Sequence, residues 1–197
     1  MILITVLTVR YLEPQKQIEL LATLTSNLLG TVIGAGLAFW FALRQFSIRS
    51  SSESQKNRID TTFSLHQEIT TELFEARVKA DELLTMHKTK SLDILQNHLS
   101  ETETRYVWQI IFFYRRLELA IDYERIELSL IPELFGQKFI WWYHVWLTSV
   151  VPSEWESSNQ LKKLQIWVEK NSKESMYKQW KDDATQARSE RLSSTCE

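Results

Sequence analysis

The sequence predicts an all-α chain in two parts: one N-terminal transmembrane helix followed by a cytoplasmic helical bundle. Three observations carry this reading. Only four glycines and three prolines punctuate 197 residues, whereas a sandwich or barrel needs a turn former roughly every ten residues. Residues 20–43 contain no charged side chain. Beyond residue 59, apolar positions recur at alternating steps of three and four, the period of a helix face. A content of 44% hydrophobic and 24% charged residues excludes a disordered tail. The 23 basic and 25 acidic residues leave no global field to hold nucleic acid. The single cysteine, Cys196, excludes an intramolecular disulfide and a multi-cysteine metal site.

Residues 1–17 are expected to form an extracytoplasmic segment. Its first nine residues are apolar but too short to span a bilayer, and they suit either an interfacial segment or translated sequence upstream of the true start. No basic n-region or cleavage site marks a signal peptide. The transmembrane helix is expected over 18–45. The uncharged run would extend roughly 36 Å as a helix, against a hydrocarbon core of roughly 30 Å. Basic residues collect after it at Arg44, Arg49, Lys56 and Arg58, against Arg10 and Lys16 before it. That asymmetry predicts a cytoplasmic C-terminal part in an inner, single-pass membrane protein.

Two stripes on this helix are candidate functional positions. Gly30, Gly34, Ala38 and Ala42 fall at successive four-residue steps and stack small side chains into a ridge that lets another backbone approach. Thr23, Asn27 and Thr31 form a neighbouring polar stripe, suited to hydrogen bonds between helices or to facing water in a small pore. The expected partners are membrane lipid, a second copy of the chain and a protein in the cytoplasm.

Residues 46–58 read as a juxtamembrane linker or the exposed start of a long helix, and the cytoplasmic helical domain is expected over 59–188. Its first helix carries the seam Ile59, Thr62, His66, Ile69, Leu73, Ala76, Ala80, Leu83 and His87, broadened by Phe63, Leu65, Phe74 and Leu84 toward the face of a bundle helix. Packing within the chain is favoured over packing between chains. A loop or short helix over 89–103, with the apolar residues Leu92, Ile94, Leu95 and Leu99, follows. The stretch 106–123 is apolar over most of its circumference and is placed at the centre of the bundle, with Arg115, Arg116, Glu118 and Asp122 arguing against a second span. Pro132 to Gly136 reads as a short helix with a glycine stop. The aromatic-rich stretch 137–150 reads as core rather than ligand site. Helical stretches over 159–169 and 173–188 complete the domain, and 189–197 is expected to be a flexible tail.

No catalytic, cofactor-binding or metal-binding residue is assigned. Only Gly136 is available outside the membrane helix, which excludes Gly-rich phosphate loops. His66, His87, His98 and His144 match no metal pattern. One class of helical RNases places an Arg four to six residues before a His, and no arginine here meets that spacing.

The stretch 106–147 resembles a bacterial family known as a domain of unknown function. In that family an aromatic pair and a leucine precede an Ile/Leu segment, then Leu-Phe-Gly, then a tryptophan-bearing helix. The matching residues are Phe113, Tyr114, Leu117, Ile126, Leu130, Leu134, Phe135, Gly136 and Trp142. The resemblance implies a membrane-anchored helical protein and supplies no active site. More loosely, the layout is similar to the membrane-pore accessory proteins of RNA-targeting type VI CRISPR systems, which join a membrane helix to a nuclease-like helical domain and assemble as rings. The function expected is self-association or partner binding, with an oligomeric pore or effector in stress or phage defence as its sharpest form. The alternative is a membrane-tethered, nuclease-like enzyme without a recognisable motif.

Overall fold

The computed structural model describes residues 14–87 and 90–193, several side chains in 14–29 excepted; the expected segment 1–17 lies largely outside them. The described residues are mostly helical, with no strand among them. By its internal contacts the chain divides into two units, Met1–Ser54 and Gln55–Glu197.

Helix α1, Pro14–Gln67, begins with proline in its first turn, where the missing N–H is not needed. It carries on through 46–58, so that polar stretch is helix, the second of the two readings its sequence allowed. In the first unit every side chain described is exposed.

The second unit is built on the seam. Thr62, Ile69, Ala76, Ala80 and Leu83 are buried within the same chain, which settles the packing as intramolecular. The helix expected to run unbroken over 59–87 is interrupted, however, by a single π-turn at Glu68–Glu72. Ile69, Thr70 and Thr71 are β-branched and weak helix formers. The Thr70 hydroxyl donates to the His66 carbonyl at 2.7 Å, and Arg77 Nη1 donates to the Ile69 carbonyl at 3.0 Å. Side chains thereby satisfy carbonyls that a regular ladder would have used. Helix α2, Phe74–His87, follows. Of the four residues expected to broaden the face, Leu65 and Leu84 pack into the core, while Phe63 and Phe74 stand exposed.

A single turn, α3 (Leu92–Leu95), buries Leu92 and Leu95. Helix α4, Glu101–Asp122, starts at a reciprocal cap: the Ser100 side chain accepts from Glu103 N–H, and the Glu103 carboxylate accepts from Ser100 N–H at 2.8 Å. It is the central helix, burying Val107, Ile110, Ile111, Phe113, Leu117 and Ile121. It ends with Arg125 N–H donating back to the Ala120 carbonyl at 2.9 Å and Glu124 at φ 50°, the left-handed position where glycine is usual.

Residues 131–150 form one continuous run, α5, with π-turns at Pro132–Gly136 and Tyr143–Leu147. Gly136 is therefore not a stop. It is helical, and a Cβ placed on it would lie 2.6 Å from Trp180 Cζ3, so its role is to admit the indole ring. Helices α6, Glu156–Asn171, and α7, Glu174–Ser193, close the bundle. Helix α7 extends to Ser193, past the expected start of a loose tail at Ser189; residues 194–197 lie outside the described ones.

Candidate functional site

On α1, Gly30, Gly34, Ala38 and Ala42 are all exposed, and a Cβ on either glycine would meet nothing within 4 Å. The same holds at Gly36. Apolar side chains flank the ridge: Val32, Ile33, Leu37, Phe39, Trp40 and Phe41 are each more than half exposed. Near the C-terminal end of this stretch, the Arg44 guanidinium lies 5.5 Å from the centre of the Trp40 ring. The polar stripe is less uniform than its spacing implied. Thr23 donates its hydroxyl to the Glu19 carbonyl at 2.8 Å, within its own helix, and Thr31 is exposed. Asn27 lies on the helix backbone, and its side chain is outside the described residues.

In the second unit the polar side chains form three clusters that sequence reasoning did not assemble. The first joins α2, α5 and α7. Asp81 Oδ1 accepts from the indole N–H of buried Trp146 at 2.7 Å. The same carboxylate takes Arg191 through Nε at 3.1 Å and Nη2 at 2.9 Å. Arg191 also lies over the Trp141 ring, 4.8 Å from its centre. An aspartate on an exposed-looking helix face is thus a three-way junction, and the indole N–H, which must find an acceptor when buried, explains its place.

The second cluster lies between α4 and α6. Glu118 is buried, and neither carboxylate oxygen meets a hydrogen-bond donor; Lys163 Nζ stands at 3.9 Å. Burial first, then the negative charge of Asp122, pushes its pKa up, while Lys163 and Arg115 pull it down. A pocket of about 310 Å³ opens beside Glu118, Asp122, Lys163 and Trp167. One turn away, Arg115 Nε donates to Gln160 Oε1 at 2.5 Å.

The third is a cleft of about 500 Å³ between α2 and α5, with Arg77, Asp81 and Glu82 on one side and Lys138, Trp141 and Trp142 on the other. Arg77 and Lys138 are 61 positions apart in the chain (138 − 77), so no spacing rule brings them together. The lysine is held below its ordinary pKa by burial and by the Arg77 charge. His66 is likewise lowered, by burial and then by Lys138. Its ring packs edge-on against Phe135 at 5.7 Å. His144, with Nε2 buried and unpartnered, is lowered by burial and by Lys181 and Arg188. No group of three or more His, Cys, Asp or Glu side chains among the described residues is placed to hold a metal.

The described residues thus define an all-helical protein with one N-terminal helix long and apolar enough to cross a membrane. No protein family, curated protein or solved structure matches the chain.

Proposed function

We propose that this is a single-pass membrane protein that self-associates through α1 and presents a cytoplasmic helical domain to a partner. The observation that supports it most directly is that none of the most apolar window of α1 is buried within the chain. Eleven Leu, Ile, Val and Phe residues in 20–43 contribute, by transfer to a bilayer centre, about 3 to 7 kcal/mol in favour of insertion. Water offers no comparable way to cover them. Trp40 and Arg44 at the C-terminal end suit an interfacial belt, and the basic cluster from Arg44 to Arg58 favours a cytoplasmic second unit.

Self-association follows from the ridge. Gly30, Gly34, Ala38 and Ala42 leave a groove on α1 that another helix backbone can enter, where packing between helices replaces packing against lipid. Assembly around such helices is also the arrangement a small pore requires. The test is an association assay in membranes or detergent: Gly34→Leu lowers the oligomer order, and Leu37→Ile, beside the ridge, does not. An unchanged oligomer order for Gly34→Leu refutes the ridge. A C-terminal reporter that reads outside the cell refutes the topology.

A further inference from the structure

We propose that the cleft between α2 and α5 binds a phosphate-bearing small molecule, with Arg77 and Lys138 holding the phosphate and Val78, Trp141 and Trp142 flanking its apolar or planar remainder. The argument is one of charge balance and shape. Four charged side chains line the cleft, two of each sign. Both carboxylates are already matched: Asp81 by Arg191 and the Trp146 indole, Glu82 by Lys79 at 2.9 Å. Neither cation is. Arg77 gives Nη1 to a backbone carbonyl, its Nε is buried without an acceptor, and no carboxylate among the described residues pairs with it. Lys138 is half-buried, makes no hydrogen bond or ion pair with the described residues, and lines the cleft opposite Arg77.

Two half-buried cations facing each other across a cleft repel, and an anion between them removes the repulsion while supplying acceptors for their N–H groups. A guanidinium and an ammonium together suit the charge and the several oxygens of a phosphate. A space of about 500 Å³ is that of a small-molecule site. Its indole walls favour a ligand that also carries an apolar or aromatic group. Free phosphate esters and lipid headgroups share this chemistry.

The full-length protein in neutral detergent is titrated calorimetrically with AMP, adenosine, inorganic phosphate and soluble short-chain phosphatidylglycerol. AMP is expected to bind at least about tenfold more tightly than adenosine, since the charge-assisted contacts belong to the phosphate. Lys138→Gln lowers that affinity by about tenfold or more, and Lys138→Arg keeps it within about threefold. Arg77→Gln lowers it as well, which keeps the test open should Lys138→Gln fail to fold. Binding of phosphatidylglycerol alone, lost in Lys138→Gln, supports the anion site with lipid as its source. Equal binding of AMP and adenosine overturns the proposal. So does indifference to Lys138→Gln, or no binding of any phosphate compound at about 10 mM.

Discussion

Gly136→Ala separates two accounts of this glycine by the sign of its effect. On helix propensity alone the change is favourable. Gly136 has φ −54° and ψ −56°, ordinary helical values, and alanine gains about 1 kcal/mol over glycine inside a helix. Against this stands Trp180. The added methyl would lie 2.6 Å from Cζ3 and 2.7 Å from Cη2 of its indole. Ordinary carbon contacts begin near 3.5 Å, so the ring or the helix must yield by roughly 0.9 Å. Trp180 is buried and its ring is rigid, and overpacking of this kind costs about 1 to 3 kcal/mol. Close to the upper end of that range, as a clash with two ring atoms requires, the net is a loss of about 1 to 2 kcal/mol.

Urea unfolding of the full-length protein in detergent, followed by tryptophan fluorescence, measures it. The decisive background is Trp180→Phe, which removes the outer indole ring that supplies both clashing atoms. There Gly136→Ala becomes neutral or stabilising, giving a coupling of about 1 to 3 kcal/mol. A native-background variant as stable as wild type, or an equal loss in both backgrounds, refutes the close approach as the reason for glycine.

Two further changes test the polar clusters. Asp81→Ala leaves the buried Trp146 N–H without an acceptor, a cost of about 1 to 3 kcal/mol, and removes the partly exposed Arg191 pair, worth under about 1 kcal/mol. In urea unfolding it therefore loses more than Arg191→Met, which spares the indole bond; equal losses contradict that ranking. Glu118 binds its proton more tightly in the folded chain than in the unfolded one, so its contribution is fully present below the ordinary carboxylate pKa. It is lost as pH rises through the elevated folded value. Glu118→Gln, which cannot ionise, is thus expected to gain stability relative to wild type as pH rises above the ordinary carboxylate range. The opposite slope would mean that Lys163 outweighs burial and Asp122.

Periodicity carried most of what the sequence revealed. The seam from Ile59 to His87 marks the inward face, with five of its nine residues buried and the other four half-buried, because a helix face is a local property of the chain. The π-turn at Glu68–Glu72 escaped because the three-four spacing passes through it unchanged; the run Ile69, Thr70, Thr71 was the only local sign. Charge reading was weaker. Of the mixed-charge run Glu68, Glu72, Glu75 and Lys79, the last three are exposed, but Glu68 pairs with Arg116. Asp81 with Arg191, and Arg77 with Lys138, are brought together by tertiary packing between helices distant in sequence, which no spacing within one helix encodes.

Glycine usage ties the two units together. Where α4 needs a left-handed residue to end, the chain uses Glu124 at φ 50° and accepts the strain, although glycine would relieve it. Where α5 meets the Trp180 ring at a distance no Cβ allows, it uses glycine. At both positions glycine follows close approach rather than turning. Gly30, Gly34 and Gly36 stand in the middle of a regular helix, where each costs about 1 kcal/mol relative to alanine and relieves no backbone strain. None of the described residues comes within 4 Å of a Cβ placed on any of the three, their own helix backbone aside. By the rule that Gly136 obeys, the self-association proposed for α1 would supply the close contact that the described residues do not.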